Sequence, residues 1–175
     1  GYEWRNNWQV DTLYNLGDIV RYNSYVYICN ANHTSAITPT LGLEADLSKW
    51  DVFSKGTDWK GAWATDVRYK IGDVVKYGGT TYVCNTAHIS ANTTALGLET
   101  DSGKWDTFNQ GIVYRDTWTD TTRYRVNDVV KYGAGTWICT TYHTSSSTFD
   151  NTKWSQFTQG FEFVNSWNNS TVYAI

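Results

Sequence analysis

The amino-acid sequence predicts an all-β protein, a linear array of small three-stranded-type β modules of about 50–55 residues each. Three observations support this fold class. The sequence repeats with a period of 55 residues, 17% of its residues are aromatic, and no stretch sustains the 3.6-residue apolar period of an amphipathic helix. A repeat of this length is typical of tandem arrays in which each copy is one structural unit.

The repeat is visible when the sequence is shifted against itself. A shift of 55 residues places Trp8 on Trp63, and a second shift places Trp118 in the same column. The third copy is six residues shorter after its histidine, and every copy closes with a Lys-Trp pair followed by Phe and Gly. The predicted modules are residues 1–56, 57–111, 112–160 with a shortened loop, and the start of a truncated fourth repeat at 161–175. We therefore expect the parent protein to be longer than this sequence.

A β-hairpin is the strongest local pattern in each module. In module 2, two β-branched and aromatic runs at 73–77 and 80–84 flank Gly78-Gly79, and glycine supplies the positive φ angles of a tight hairpin turn. Modules 1 and 3 carry Asn23-Ser24 and Gly133-Ala134-Gly135 at this place. Alternation along the two strands predicts a core face that carries Val75, Tyr77, Tyr82 and Cys84.

The aromatic columns are predicted to form the core of each module. A unit of about 50 residues is near the lower limit for independent folding, so it depends on a disulfide, a metal or dense packing. A buried aromatic ring removes about 150–250 Å² from water, which favours the third route. The columns expected in the core are those of Trp63, Tyr69, Tyr77, Tyr82 and Trp105.

One cysteine and one histidine recur in every module. Cys29, Cys84 and Cys139 share a column, so they should lie a module apart, beyond the reach of about 7 Å that a disulfide allows. The Cys-x-x-x-His spacing suggests a metal site, but zinc prefers four ligands and no second Cys or His exists within a module. We expect small buried cysteines, histidines that cap a loop, and no cofactor; a metal and an intermolecular disulfide are the alternatives.

The remaining polar residues do not predict an enzyme. Asp18, Asp73 and Asp128 follow turns, where a carboxylate accepts local backbone N–H groups. Glu44 and Glu99 are candidate catalytic carboxylates, but module 3 lacks their motif, and no nucleophile elbow or phosphate loop is present. The net charge of −3 argues against binding of nucleic acid, and no apolar run is long enough for a membrane span.

Together these columns resemble a known family. The order Trp63, Tyr69, Gly72-Asp73, Val75, Tyr77-Gly78, Tyr82-Val83-Cys84, His88 and Trp105 is similar to carbohydrate-binding module family 5/12. Those modules are small β-domains attached to chitinases and cellulases, and similar repeats occur in phage tail and other virion proteins. The resemblance implies that exposed aromatic rings just after the second hairpin strand stack on sugars. Only module 3 has an aromatic residue there, Tyr142.

Five aromatic residues are candidates for carbohydrate binding: Tyr142, Trp4, Trp59, Tyr114 and Tyr25. Trp4, Trp59, Tyr114 and Phe163 share a column four residues before the first tryptophan of a module. Two roles suit this column, because its rings could stack on sugars or seal one module against the next. Since the column directly follows the end of the previous module, we expect the seal.

The function predicted from these observations is that of a non-catalytic, extracellular or virion-surface protein with a structural or adhesive role, such as a phage tail fibre or decoration protein. One alternative is the carbohydrate-binding region of a secreted polysaccharide-degrading enzyme, and another is a self-assembling extracellular filament. The expected partners are a glycan or cell-surface polysaccharide and other virion or filament subunits.

Overall fold

A computed structural model describes residues 1–38, 41–93 and 96–160. The predicted start of a fourth module at 161–175, with Phe163, lies outside the described residues. In the described part of the chain the all-β prediction is confirmed, because three similar β-sheet modules follow one another along the sequence. Modules 1 and 2 together form one compact unit, Gly1–Gln110, and module 3 belongs to a second unit that begins at Gly111.

Within the described residues, each of modules 1, 2 and 3 contains six strands and one 3₁₀ helix. The strands of module 1 are β1 Glu3–Asn7, β2 Leu13–Tyr14, β3 Asp18–Tyr22, β4 Tyr25–Cys29, β5 His33–Thr34 and β6 Trp50–Ser54. Those of module 2 are β7 Asp58–Ala62, β8 Arg68–Tyr69, β9 Asp73–Tyr77, β10 Thr80–Cys84, β11 His88–Ile89 and β12 Trp105–Asn109. Those of module 3 are β13 Val113–Thr117, β14 Arg123–Tyr124, β15 Asp128–Tyr132, β16 Gly135–Cys139, β17 His143–Thr144 and β18 Trp154–Thr158. The 3₁₀ helices are Leu43–Lys49, Gly97–Lys104 and Asn151–Lys153.

A four-stranded sheet is the main layer of every module. In module 1 the strand order is β1-β3-β4-β6, with β1 parallel to β3 and the other pairs antiparallel. The three antiparallel strands are the predicted hairpin and the strand that begins at the closing tryptophan. The parallel first strand was not predicted from the sequence. A small second sheet pairs β2 with β5 behind the hairpin, and modules 2 and 3 repeat both sheets.

The hairpin loops of modules 1 and 2 have the predicted length of two residues, but only the first residue of each takes a positive φ. Tyr77 pairs with Thr80 across a two-residue loop in which Gly78 has a φ of +63°, and Asn23 takes the same left-handed conformation in module 1 with a φ of +55°. In module 3 the loop is also two residues long. Gly135 pairs with Tyr132 as the first residue of β16, which corrects the three-residue turn expected from the sequence.

The predicted aromatic columns lie in or against the core. In module 2, Tyr69 and Trp105 are buried with an edge-to-face contact of 5.0 Å between ring centroids, and Trp63, Tyr77 and Tyr82 pack around them half-buried. The cluster also contains Val75 and Cys84 from the predicted core face, and Leu98, which the sequence analysis did not place there. Dense aromatic packing is therefore the stabilising device of the module.

Among the residues that the structure describes, no helix has the length and apolar character needed to cross a membrane.

Candidate functional site

The recurring cysteine and histidine close a loop behind the hairpin. The Cys84 thiol donates to the Thr86 carbonyl oxygen at 3.1 Å, and His88 Nδ1 lies 2.7 Å from the same oxygen. The His88 ring also packs edge-on against Trp105, 5.3 Å between centroids. Within the described ranges, no group of three or more His, Cys, Asp or Glu side chains is placed to hold a metal ion. The pair therefore has the loop-capping role that the sequence predicted for the histidine.

All three cysteines are free and buried. Burial raises the pKa of the Cys84 thiol to about 12 and that of the Cys139 thiol to about 11. It also raises the pKa of Cys29 above its ordinary value. Thiols with such pKa values stay protonated near neutral pH, and a protonated, buried thiol is a poor nucleophile.

The aspartate column supports the turn before the hairpin, as predicted. Asp73 Oδ2 accepts the backbone N–H of Lys70 at 2.8 Å, and the matching atoms of Asp18 and Asp128 accept from Asn15 and Arg125. These carboxylates are buried beneath the hairpin, so each is a structural group.

The two candidate catalytic glutamates are structural as well. Glu44 Oε2 accepts the Tyr22 hydroxyl at 2.8 Å, and Glu99 Oε2 accepts the Tyr77 hydroxyl at the same distance. Burial and the neighbouring Glu44 carboxylate raise the pKa of Tyr22 above its ordinary range. Each glutamate thus ties the 3₁₀ helix segment to the end of a hairpin strand.

The aromatic column that precedes each module is exposed on the sheet. Trp4, Trp59 and Tyr114 are each the second residue of the parallel first strand, and 53%, 59% and 59% of their respective surfaces are accessible. By contrast, the equally conspicuous Tyr69 and Trp105 columns are buried. The expected seal between modules 1 and 2 is therefore wrong for Trp59, whose ring faces solvent.

The register of the sheet explains this exposure. Trp59 lies beside Val74, Val74 beside Val83, and Val83 beside Asp106, so one row of side chains crosses the sheet face that points away from the core. Its neighbour Lys60 points to the opposite face, where its ammonium group lies 3.6 Å from buried Asp73. Strand alternation thus directs the tryptophan outward.

The same row recurs in the other modules with polar groups at its end. Module 1 has Trp4, Ile19, Ile28 and Asp51, and module 3 has Tyr114, Val129, Ile138 and Ser155. Asp51 accepts from the Asn30 amide at 3.1 Å, and Asp106 accepts from Asn85 at 3.0 Å. We name this row, in any module, the outer-face row. In modules 1 and 2 it combines an exposed ring, a short apolar strip and a hydrogen-bonded Asn–Asp pair, whereas in module 3 it ends at Ser155. Val74 and Val129 within the strip are buried.

The other two predicted rings lie elsewhere. Tyr25 begins β4, stacks on Tyr27 with 6.0 Å between centroids, and packs so close to Gly72 of module 2 that a β-carbon there would lie 2.7 Å from its ring. Tyr142 lies in the loop between β16 and β17, half-exposed, with the Arg123 guanidinium 5.6 Å from its ring centroid. The five predicted residues therefore occupy three different places rather than one cluster.

The contact between modules 1 and 2 uses residues that the sequence analysis did not assign to it. The Asn23 amide donates to the Ile71 carbonyl oxygen at 3.2 Å and to Asp73 Oδ1 at 2.9 Å. The Ser24 hydroxyl donates to the Gly56 carbonyl oxygen at 3.2 Å. We name this contact the hairpin junction, because the turn of module 1 sits on module 2.

A charged contact flanks the hairpin junction. Arg68 of module 2 donates to Glu44 of module 1 at 3.2 Å, and the Lys70 ammonium lies 4.5 Å above the Tyr22 ring. Two features of the sequence could have indicated this contact. The turn is Asn23-Ser24 in module 1 but Gly78-Gly79 in module 2, and Glu44 in module 1 is matched by Arg68 in module 2.

A comparison with protein-family models matches the first two repeated modules. The model of carbohydrate-binding module family 5/12 matches residues 7–50 and 62–96. Modules 1 and 2 resemble carbohydrate-binding module family 5/12. The matched ranges contain the hairpins and the core tyrosines of the family 5/12 repeats, whereas Trp4 and Trp59 lie just before them. No curated protein matches the chain.

Proposed function

We propose that this chain is a non-catalytic extracellular array that binds polysaccharide through Trp4, Trp59 and Tyr114. The observation that carries the proposal is the exposure of one large aromatic ring at the same strand position in each of the three described modules, above a scaffold of family 5/12 type. Leaving such rings in water forgoes the stabilisation of about 1.5–3 kcal/mol that burial of a large apolar side chain provides. The column of Phe53, Phe108 and Phe157 is exposed to a similar degree, so the Trp4 column is chosen for its place at the start of the outer-face row.

The outer-face row has the chemistry that a sugar ring requires. The apolar face of a pyranose can stack on the flat indole or phenol. The polar end of the row lies three strands away, about 14 Å at about 4.8 Å per strand, so its amide and carboxylate groups would meet the hydroxyls of a further sugar of the same chain. Stacking of planar groups on aromatic side chains contributes about 1–3 kcal/mol per ring in nucleic-acid complexes. A polymeric ligand that engages several modules gains further, because each additional contact is effectively intramolecular.

Tyr142 is the second kind of ring that we assign to sugar binding. It occupies the position after the second hairpin strand at which the family resemblance implies stacking, and modules 1 and 2 have no aromatic residue there. Module 3 would then contribute two rings, Tyr114 and Tyr142, and bind more tightly than either of the other modules.

The hairpin junction supports a structural component of the function. Two hydrogen bonds from Asn23 and the Glu44–Arg68 ion pair tie modules 1 and 2 together, which suits a spacer that displays binding faces at intervals. This favours an adhesive array over the binding region of a polysaccharide-degrading enzyme. The virion-surface setting, whether tail fibre or decoration, and the filament remain hypotheses from the sequence.

The test is depletion binding to insoluble chitin and cellulose. The triple variant Trp4→Ala/Trp59→Ala/Tyr114→Ala should lose at least tenfold in affinity, since about 1.4 kcal/mol corresponds to a factor of ten. The matched control is Phe53→Ala/Phe108→Ala/Phe157→Ala, which removes three exposed rings from the last strand of each sheet and should leave binding unchanged. Equal losses in both variants, with the fold intact by circular dichroism, would overturn the assignment.

A further inference from the structure

The hairpin junction shows how one module receives another. The receiving face is formed by Ile71 and Gly72 of module 2 together with Gly56, the last residue of module 1, and Ser24 and Tyr25 of module 1 pack onto it. A β-carbon at Gly72 would collide with both of these side chains. A glycine is therefore needed at this position so that the turn of the preceding module can sit close to the backbone.

Module 1 has the same face without an occupant among the described residues. The columns of Gly56, Ile71 and Gly72 correspond to Gly1, Leu16 and Gly17. These three line one side of a pocket of about 420 Å³, and Ile28, Asn30 and Asp51 of the outer-face row line another. At Gly17 the three atoms nearest to a β-carbon would belong to Gly1 and Tyr2, from the same module. The receiving face of module 1 is therefore built and open.

The residue beside the hairpin of the docking module, here called its edge, differs between modules, and the residue that meets it on the receiving module changes with it. Module 1 presents Glu44, and module 2 meets it with Arg68. The sequence repeats this pair of columns with Glu99 and Arg123. Module 3 has Phe149 stacked on Tyr132 in place of a glutamate, and in the next copy the arginine column holds Val172, read from the sequence alone. A module with a glutamate edge is thus followed in the sequence by a module with arginine in this column. The module with a phenylalanine edge is followed by a copy with valine there.

Leu13 occupies the arginine column in module 1. It is 59% exposed, and Leu16 beside the pocket is 66% exposed. Asn15 replaces Lys70, so neither of the two cations that face module 1 from module 2 has a counterpart here. A glutamate docked against this edge would lose water without gaining a cation, which is unfavourable, whereas an aromatic edge would bury both leucines.

We propose that the receiving face of module 1 binds the hairpin turn of another module of this fold whose edge is aromatic, as in module 3, rather than acidic, as in modules 1 and 2. The proposal does not rest on sugar binding, but the pocket shares Ile28 and Asp51 with the outer-face row, so a docked module would cover the polar end of that row. It rests on the equivalence of this face with the occupied face of module 2 and on the match between the edges.

The test adds a module in front of the complete chain in the register of the repeat. One extended chain carries residues 112–159 directly before Gly1, so that Gly1 takes the column of Gly160; the other carries residues 2–55, with the acidic edge. Hydrogen exchange of the segment 13–18 reports docking. The aromatic-edged extension should slow exchange at least tenfold relative to the chain alone, and the acidic-edged extension should slow it less.

Two variants make the outcome decisive. Leu13→Arg should reverse the preference, so that the acidic-edged extension gives the stronger protection. Leu16→Asp, at a side chain that is exposed in the chain alone, should abolish protection in both extended chains while leaving the unextended chain equally stable. Equal protection by both extensions, no protection by either, or an unchanged preference in Leu13→Arg would each overturn the proposal.

Discussion

The last tyrosine of the first hairpin strand has a glutamate as its partner in modules 1 and 2 and a phenylalanine in module 3. Tyr22 and Tyr77 donate their hydroxyls to Glu44 and Glu99, whereas Tyr132 stacks on Phe149 with centroids 4.0 Å apart and planes within 8°. The longer loop supplies two residues at this place, a leucine for the core and a glutamate for the edge. In the shorter loop Phe149 does both, because it also contacts Trp118, Trp137 and Trp154.

This difference shows which features of the loop the fold requires. The six residues missing from module 3 remove the Leu-Gly-Leu-Glu motif, yet the tyrosine, the closing tryptophan and the four-stranded sheet keep their places. The loop must supply an apolar side chain that packs against the core and a partner for Tyr22, Tyr77 or Tyr132. Loop length and charge are free to vary, and they set which neighbour a module accepts.

The largest expected effect comes from removing the ring of module 3. Phe149→Ala should destabilise module 3 by about 3–5 kcal/mol, the range for a large aromatic residue truncated within a packed cluster. Leu98→Ala in module 2 should cost about 2–5 kcal/mol and leave the Tyr77–Glu99 hydrogen bond in place. Denaturant unfolding followed by hydrogen exchange in each module separates the two. A loss below about 1 kcal/mol for Phe149→Ala would show that the stack is incidental.

Removing the ion from module 1 should have a smaller effect. Glu44→Ala takes the acceptor from Tyr22 and the counter-ion from Arg68, which should cost about 1–3 kcal/mol. Glu44→Gln keeps an acceptor for Tyr22 and should retain part of this stability. The free energy of unfolding from urea titration is the measurement. If both variants are as stable as the parent chain, the glutamate contributes nothing net to the edge.

A change in the turn of module 1 tests the hairpin junction directly. Asn23→Gly gives module 1 the turn residue of module 2 and suits the left-handed backbone, but it removes the donor to Ile71 and Asp73. We expect a loss of about 1–2 kcal/mol and faster hydrogen exchange on both sides of the junction. Asn23→Asp is the control, because it tolerates the backbone but places a carboxylate against Asp73. It should be less stable than the glycine variant.

The reactivity of the thiols should be low in all three modules. Thiol titration should find little reaction in the folded chain and three groups after denaturation, because all three cysteines are buried. Burial raises the pKa of Cys84 to about 12 and of Cys139 to about 11. The stability associated with these protonated thiols is present below their ordinary pKa of about 9 and is lost as the pH rises through the raised values. Alkylation of either thiol in the folded chain should therefore require a pH well above neutral. Rapid labelling at neutral pH would contradict this.

The parts of the fold that the sequence predicted are those with local patterns. The hairpin follows from two alternating runs around Gly78, and the core follows from columns such as Tyr69 and Trp105 that recur at a fixed period. The parallel strands were missed because β1 is short and largely polar and pairs with a strand that is separated from it by a loop.

The error over Trp59 has the same origin. Because β7 was not predicted, Trp59 was judged only by its position next to the end of module 1, which suggested a seal between modules. Once β7 is present, alternation directs Lys60 toward Asp73 and Trp59 toward solvent. The Glu44–Arg68 contact was missed because it joins two modules, and a single-module pattern carries no information about partners.

The central claim is that the exposed first-strand rings, and not the buried columns, bind sugar. An NMR titration of the isotope-labelled chain with chitin and cellulose hexasaccharides tests it most directly through the indole N–H signals. We expect the signals of Trp4 and Trp59 to shift with ligand concentration while those of buried Trp50, Trp105 and Trp154 stay in place. Saturable binding that leaves the Trp4 and Trp59 signals unmoved would contradict it.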